Sequence, residues 1–291
     1  MLPFDFPPTT RNSPSPKWDD RNFIVGDKTT PVLEYSENLA GWSDDLAVIH
    51  EEAIGGEHPI DIASRSDALA QVKKYMPSDK AVIMEIGCSS GYFIRDMVKS
   101  FPEAVIIGAD VVKEPLYRFA GNFPGIPLLC FDLLQCPLPD QSVDVLVMLN
   151  VLEHIEDDLG ALQKACDLLK PSGALIIEVP AGPKFYDAYD KEDRHFRRYS
   201  PAELRLKLTA AGFKIDRLSY LGVVLFPAFA AIKLLGKHFP FKKDKPVIHD
   251  RISNTSNIPF VKWAMEFESK HLPDSKRPFG IRILAVAIKN D

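Results

Sequence analysis

The chain has 291 residues, of which 46% are hydrophobic and 26% are charged, the composition of an ordinary globular protein. This length accommodates one large α/β domain with appendages or two small domains, and the continuous series of strand signals described below favours one domain. The formal net charge of −5 at pH 7 argues against a general nucleic-acid-binding surface, so no nucleic-acid partner is expected.

Cysteine usage and the N-terminal segment bear on the location of the protein. The four cysteines form no Cys-x-x-Cys pair, which favours reduced thiols in a cytoplasmic protein. Residues 1–16 contain five prolines and no apolar signal core, so residues 1–20 are predicted to be a mobile tail. The most apolar stretch, residues 218–232, falls short of the roughly 20 residues that a membrane-spanning helix requires.

Residues 21–79 are predicted to form a helical lid that precedes the main domain. Apolar side chains reach helical spacing only late in this segment, at Leu69, Val72 and Met76. A substrate-side candidate within the lid is His58 with Glu51 and Glu52, although most such groups are simply on the surface.

The stretch 82–91 reads as a buried strand that ends in an acid and turns into a helix at Gly87 and Gly91. The helix that follows carries its apolar residues on one stripe. Further buried strands are predicted at 104–109, 128–131, 143–149 and 174–179. Strands that alternate with helices and are apolar on both faces indicate a parallel sheet covered on both sides.

The C-terminal part continues this pattern. Ser200, Pro201 and Glu203 predict a capped helix. Strands at 213–224 and 282–289 complete the sheet. The predicted fold class is α/β, a doubly wound, Rossmann-like domain with a seven-stranded, mostly parallel sheet and helices on both faces.

The domain boundaries follow from these elements. The core is predicted at residues 80–224, and its last strand lies within residues 281–291. Between them, residues 225–280 form an insertion that either covers the cleft or faces a membrane.

Acidic residues follow the first three strands of the core at the edge where ligands of open α/β folds bind. Glycines at 87 and 91 allow close approach of the backbone, and the following helix directs its free N–H groups into the same space. Asp110 suits the two hydroxyls of a ribose, and Asp132 suits an exocyclic amine. The simpler alternative is a tight turn with solvated aspartates at the strand ends.

A nicotinamide dinucleotide site is the main competitor, and the loop argues against it. Its fingerprint is Gly-x-Gly-x-x-Gly, whereas this loop reads Gly87-Cys88-Ser89-Ser90-Gly91. A pyrophosphate would also be repelled by Glu85, whereas an ammonium group would be attracted to it.

These motifs resemble those of the class I S-adenosylmethionine-dependent methyltransferases, in the branch that acts on small molecules. The resemblance rests on the loop from Glu85 to Gly91, on Asp110, on the segment 150–154 and on the Leu-Lys-Pro-Ser-Gly run at 169–173. It implies S-adenosylmethionine as the cofactor and a cytoplasmic enzyme. The residues that it assigns to the cofactor are Glu85, Gly87, Cys88, Gly91, Asp110, Val111, Asp132, Leu133 and Asn150.

Two nucleic-acid-modifying branches of this family fit the chain poorly. Amino-group transferases carry Asn/Asp-Pro-Pro-Tyr after the fourth strand, where this chain has Asn150-Val151-Leu152-Glu153. Cytosine C5 enzymes carry a nucleophilic Pro-Cys, whereas Cys136-Pro137 is reversed. The loop itself departs from the family only at Ser89, where the middle glycine is usual.

The expected acceptor is a small, sugar-linked or lipid-linked molecule, methylated at oxygen. His154 is the candidate base, because a neutral imidazole can take a proton near pH 7, although it could simply pack against the next helix. Substrate-binding candidates are Glu153, His195, Arg198 and Tyr199. The arginines at 197 and 198 suggest an anionic acceptor, and a salt-bridged surface loop is an equal alternative.

Two further expectations complete the sequence-based interpretation. The apolar and lysine-rich run 218–245 suggests peripheral membrane contact, against the alternative that it is a strand with a covering segment. No metal is expected. A catalytically silent methyltransferase-like domain that binds a nucleoside ligand or a partner protein is the alternative function.

Overall fold

The computed structural model describes residues 4–36, 56–236, 259–272 and 277–290. Glu51 and Glu52 of the predicted lid and the lysine-rich residues 237–245 lie outside these ranges. The predictions made for those residues therefore stay predictions.

The described residues contain two sheets. The strands in chain order are β1 (Lys17–Trp18), β2 (Phe23–Val25), β3 (Lys28–Thr30), β4 (Val32–Glu34), β5 (Val82–Ile86), β6 (Val105–Asp110), β7 (Leu128–Cys130), β8 (Val143–Leu149), β9 (Leu169–Pro180), β10 (Phe213–Leu221) and β11 (Arg282–Lys289). The main sheet has the order β10-β11-β9-β8-β5-β6-β7-β4, and β1 to β3 form a separate small sheet. In the main sheet, β11 pairs antiparallel with β9 and β10, and the other pairs are parallel.

Helices and short 3-10 turns connect these strands. The helices are α1 (Pro59–Tyr75), α2 (Tyr92–Ser100), α3 (Lys113–Asn122), α4 (Asp158–Leu168), α5 (Ala188–Glu192), α6 (Pro201–Ala210), α7 (Phe226–Gly236) and α8 (Pro259–His271), and the 3-10 turns are Leu133–Gln135, Leu152–His154 and Pro183–Phe185. The predicted cap of α6 is present, since Ser200 Oγ accepts a hydrogen bond from the Glu203 N–H at 3.2 Å.

The core lies on both faces of the main sheet. Along β5 and β8, successive residues alternate between two buried clusters, with Met84 and Leu146 on one face and Ile83 and Val145 on the other. This two-residue period places apolar side chains against helices on each side, as continuous apolar strands require. The predicted doubly wound α/β fold is confirmed.

The N-terminal region differs from its prediction. Phe6, within the predicted mobile tail, is buried, with its ring 5.1 Å from that of Phe23. Residues 17–34 form strands, and β4 adds an eighth strand to the main sheet beside β7. The helical part of the predicted lid is α1. Strands of two or three residues are too short for a periodic pattern. β1, β2 and β3 pair with their neighbours in the sequence, whereas β4 pairs with β7, far along the chain.

Two strand boundaries also differ. Residue 169 already pairs with β8, and residues 170–173 bulge before pairing resumes at Ala174, so β9 begins earlier than predicted. At the other end of the sheet, β10 stops at Leu221. Gly222 follows it with φ +80°, where a Cβ would lie 2.1 Å from Ile281 Cγ1.

The described parts of the predicted insertion include the two helices α7 and α8. Val261, Ala264 and Met265 of α8 are buried with Leu225 and Ile281. Across the described residues, we find no helix with the length and apolarity needed to traverse a bilayer.

Candidate active site

The strands β5, β6 and β8 are neighbours, and their carboxyl ends carry the predicted site residues. At the end of β5, Gly87 has φ +77°, and a Cβ there would lie 2.3 Å from Val151 Cγ2 in the segment after β8. Gly91 caps α2 with φ +70°, and a Cβ there would lie 2.5 Å from the Phe119 ring. Both positions therefore require glycine, and the loop approaches the neighbouring segments closely.

Ser89, which departs from the expected glycine, adopts φ +43°. Its N–H donates to Asp110 Oδ2 at 2.8 Å. This hydrogen bond to a carboxylate stabilises the loop and offsets the strain of a left-handed serine. The middle position of the loop therefore has the backbone conformation that a glycine would adopt.

Asp110 at the end of β6 lies in the same space as the glycine loop. It is 9% exposed, and its Oδ1 accepts a second hydrogen bond, from the Val112 N–H at 2.9 Å. Burial raises the pKa of Asp110, and the hydrogen bonds from Val112 and Ser89 oppose that shift. A carboxylate has about four acceptor positions, so two remain for hydroxyl groups of a ligand.

Glu85 is 4% exposed, and its Oε2 has no hydrogen-bond partner among the described residues. Burial raises the pKa of Glu85 well above its usual range, and the nearby Asp110 carboxylate adds to the shift. A buried carboxyl oxygen without a partner is costly, and a bound ammonium group would satisfy it. These residues therefore fit the amino-acid end and the ribose of S-adenosylmethionine.

The remaining residues assigned to the cofactor border this loop less directly. Asp132 Oδ1 accepts from the Leu134 N–H at 3.0 Å and so caps a 3-10 turn, while Leu133 and Cys88 are buried. Val111 directly follows Asp110. Their contact with an adenine stays a prediction.

Asn150, after β8, is held in a left-handed conformation, with φ +54°. Its backbone N–H donates to the Glu178 carbonyl at 2.9 Å, and its Nδ2 donates to Glu178 Oε1 at 3.2 Å. The same Oε1 accepts from Ser64 Oγ at 2.7 Å and contacts Arg282 at 3.0 Å. Glu178 therefore joins the cofactor side to α1 and β11.

The sequence analysis did not identify Glu178. The available signal was a single acid in the apolar run Ala174 to Val179, which resembles Glu85 in β5. A buried acid in a central strand needs specific partners, and those partners lie far away in the sequence.

The 3-10 turn after β8 presents Glu153 and His154 on the acceptor side. Glu153 is fully buried, and neither carboxyl oxygen has a hydrogen-bond partner among the described residues. Burial raises the pKa of Glu153 to about 7, and the nearby His195 opposes the shift. The rings of His154 and His195 meet edge to face, with centroids 4.6 Å apart. The structure thus brings together three of the predicted residues.

His195 is held between two carboxylates. Its Nδ1 lies 3.0 Å from Asp190 Oδ1, and its Nε2 lies 3.0 Å from Asp193 Oδ2. Burial alone would lower the pKa of His195, but these hydrogen bonds outweigh burial and raise it to about 9.

Ligand atoms of Glu153, His154 and His195 lie within 4.8 Å of one another, as a metal site would need. However, both nitrogens of His195 are engaged by carboxylates, which favours a charged hydrogen-bond network.

Asp190 is the centre of this network and is fully buried. Besides His195, it contacts Arg198 Nε at 2.7 Å and Lys233 Nζ at 3.4 Å. Burial would raise the pKa of Asp190, but His195 and Arg198 outweigh burial and hold it well below its usual range. Lys233 was not among the predicted site residues, because it lies in α7, outside the loop that carries His195 and Arg198.

The structure speaks against the predicted substrate contacts of Arg198 and Tyr199. Arg198 is buried and directed at Asp190. Tyr199 is fully buried, and its hydroxyl donates to Asp158 Oδ2 at 2.8 Å. Arg197 also pairs with Asp158, at 2.6 Å. Because both arginines have carboxylate partners inside the protein, the salt-bridged alternative describes this loop better than an anion site.

His58 likewise has a structural position. Its Nδ1 accepts a hydrogen bond from the Ile60 N–H at 3.2 Å and so caps the N-terminus of α1. His58 is 7% exposed, so it is a buried helix cap and the expected surface position is wrong; the substrate-side role stays a prediction.

The buried network makes the stability of the protein pH-dependent. On folding, the pKa of His195 rises from 6.5 to about 9 and that of Glu153 from 4.5 to about 7. A raised pKa contributes stability below the unfolded value, and the contribution is lost as the pH rises through the folded value. We expect the free energy of unfolding, measured with urea, to fall by on the order of 6 kcal/mol between pH 5 and pH 9, about 3 kcal/mol from each group. In His195→Gln the decline above pH 6.5 should shrink; an unchanged decline would contradict the assignment.

Comparison with known proteins shows which family the chain is similar to. Residues 84–177 match a family model described as "Methyltransferase domain". A protein named as a probable S-adenosylmethionine-dependent methyltransferase from Mycolicibacterium smegmatis is 29% identical over 139 residues, 46% of this chain and 52% of that protein. A tRNA U34 carboxymethyltransferase from Desulfotalea psychrophila is 32% identical over 131 residues, 43% of this chain and 41% of that protein. The chain thus spans about half the length of the curated relatives it matches, or less.

A solved structure agrees with the fold. Phosphoethanolamine N-methyltransferase 2 of Haemonchus contortus, in complex with S-adenosyl-L-methionine, superimposes with a TM-score of 0.51. The two share 15% identity, and the match covers 78% of this chain and 53% of that one. The structural likeness shows the shared fold. The matched methyltransferase domain, the curated relatives and the glycine loop support a class I S-adenosylmethionine-dependent methyltransferase, as the sequence predicted.

Proposed function

We propose that the protein transfers a methyl group from S-adenosylmethionine to a hydroxyl of a small, sugar-linked or lipid-linked acceptor. The observation that carries the proposal is the group of Glu85, Asp110 and the glycine loop at the ends of two adjacent strands. In this group, the buried Glu85 Oε2 has no hydrogen-bond partner among the described residues, and Gly87 and Gly91 have positive φ angles. Both features suit a ligand with an ammonium group and a ribose.

Each residue of this group has a distinct task in cofactor binding. Glu85 would bind the ammonium group, and the remaining acceptor positions of Asp110 would bind the ribose hydroxyls. The backbone around Gly87 and Gly91 would lie against the amino-acid end. When bound, the cofactor supplies an electrophilic methyl group on a sulfonium. Proximity of the acceptor to that methyl group is worth up to about 7–11 kcal/mol.

We assign proton removal to His154. It lies in the 3-10 turn after β8, and Val151 at the start of that segment lies against Gly87 of the glycine loop. As the hydroxyl oxygen gains the methyl group, its proton would pass to the imidazole of His154. The network around Asp190 holds His195 against the His154 ring, so that His195 orients the base without contacting the acceptor.

His154→Ala is expected to lower turnover by at least about 100-fold, because a positioned general base contributes that much or more. Its affinity for S-adenosylmethionine, measured by calorimetry, should change little. Turnover equal to that of the wild type would remove His154 as the base.

A catalytically silent domain is the second candidate, and one observation favours it. Arg198 and Tyr199, predicted to bind the acceptor, are engaged in internal contacts instead. The deciding experiment measures S-adenosylhomocysteine formation with a metabolite and lipid extract. Formation that depends on an added acceptor supports the methyltransferase, and cofactor binding without turnover supports the silent domain.

Whether the methyl acceptor is a nucleic acid also needs a test. The net charge argues against such an acceptor, whereas one relative is named for a tRNA substrate. Transfer RNA should therefore be included among the acceptors tested, and we expect no methylation of it.

A further inference from the structure

Helix α8 carries a stripe of aromatic side chains on its outer side, which we call the α8 stripe: Phe260, Trp263 and Phe267. Their spacing of three and four residues places them on one side of the helix. Their exposed fractions are 50%, 54% and 39%. Neighbouring rings lie nearly parallel, with centroids 5.7 Å and 5.5 Å apart. Large aromatic side chains in a continuous exposed row indicate a binding surface.

The stripe is exposed on a helix that is firmly held. The adjacent side of α8 buries Val261, Ala264 and Met265. Glu268, also fully buried, contacts Arg277 at 3.1 Å and accepts from the Gly222 N–H at 2.8 Å. Since α8 already has a complete inward contact face, the aromatic row is additional to what folding requires.

Charged residues on α8 and in the sequence before it indicate the chemistry of the partner. Lys262 and Lys270 lie on the third, polar side of the same helix together with Glu266, which is 4.0 Å from Lys262. The preceding sequence, residues 237–258, contains four lysines and one arginine against two aspartates, in a chain whose overall charge is −5. Tryptophan and phenylalanine with flanking lysines suit the interface of a bilayer, and local positive charge suits anionic headgroups.

We propose that the α8 stripe binds the surface of an anionic phospholipid bilayer. Trp263 and its two phenylalanine neighbours insert at the level of the headgroups, and Lys262 and Lys270 contact the lipid phosphates. The protein then lies on one leaflet, and α8 does not cross it. This inference does not depend on the proposed methyl transfer.

The position of α8 connects this surface to the cleft. α8 packs against α1, and Arg277 contacts Asp67 of α1 at 2.9 Å. Ser64 of the same helix binds Glu178, which holds Asn150. A bilayer bound at the α8 stripe therefore contacts a helix that packs on α1, and α1 borders the candidate active site.

The test is flotation of the full chain with vesicles of phosphatidylcholine alone or mixed with phosphatidylglycerol. We expect binding to the anionic vesicles that weakens as salt is added. The triple variant Phe260→Ser, Trp263→Ser and Phe267→Ser should lose at least about 10-fold in binding, because its exposed aromatic area is removed. The matched control is Leu206→Ser on α6, 72% exposed, which should bind like the wild type.

Tryptophan fluorescence and the thermal midpoint provide two further measurements. In a chain with Trp18→Phe and Trp42→Phe, the emission of Trp263 should shift to the blue when anionic vesicles are added. The triple variant should retain the wild-type thermal midpoint, since its substitutions are exposed. Absence of wild-type flotation, or equal flotation of the triple variant, would overturn the proposal. Self-association without vesicles that the triple variant abolishes, together with no flotation, would instead make the stripe a protein interface.

Discussion

Asp110→Ala is expected to weaken S-adenosylmethionine binding by roughly 100- to 10,000-fold. Two hydrogen bonds between its carboxylate and ligand hydroxyls would be lost, each worth about 1.5–3 kcal/mol. The change also frees the N–H groups of Ser89 and Val112, which now donate to the carboxylate. The glycine loop then loses part of the order that the ligand requires. Calorimetry with S-adenosylmethionine measures the effect directly.

The matched control for this change is Asp140→Ala, which removes an exposed aspartate. It should bind the cofactor as tightly as the wild type. Asp110→Asn, which keeps one acceptor oxygen, should lose less affinity than the alanine variant. Full affinity in a folded Asp110→Ala protein would refute the ribose assignment.

Asp190→Asn is expected to cost about 3–5 kcal/mol of folding free energy. The substitution keeps the shape of the side chain but removes the negative charge that His195, Arg198 and Lys233 share. Buried cations that lose their partner are strongly destabilising. The thermal midpoint should therefore fall by on the order of 10 °C.

Asp167→Asn serves as the control for Asp190→Asn, because its ion pair with Lys164 is about half exposed. We expect a change of less than about 0.5 kcal/mol there. Nuclear magnetic resonance gives a second readout, since the pKa of His195 should move from about 9 toward 6.5 in Asp190→Asn. A loss below about 1 kcal/mol with an unchanged His195 pKa would contradict the role given to Asp190.

The sequence predicted the cofactor side of the protein better than the acceptor side. Glu85, Gly87, Gly91 and Asp110 all lie at strand ends, and the ends of neighbouring parallel strands meet at one edge of a sheet. Knowledge of the strands was therefore enough to place these residues together. Their contacts with the cofactor stay predictions until binding is measured.

The acceptor side depends on contacts that no local pattern records. A histidine, two arginines and a tyrosine in one loop suggested an anion site. His195 and Arg198 instead pair with Asp190 of the same segment, and Arg197 and Tyr199 pair with Asp158 of α4. The Tyr199 hydroxyl donates a hydrogen bond to Asp158 at the start of α4, and Asp190 forms an ion pair with Lys233 in α7. The sequence shows these charged residues but does not show which of them pair.

By itself, the sequence determined the positions of the core strands along the chain, their two-sided burial, the glycine loop and the resemblance to the methyltransferase family. These features follow from hydrophobic period and backbone freedom, which act over a few residues. The tertiary structure alone decided the strand β4, the burial of Tyr199 and the link from Asn150 through Glu178 to Ser64. Each of these depends on desolvation and hydrogen bonding between residues far apart in the chain, and those forces arise only once the chain is folded.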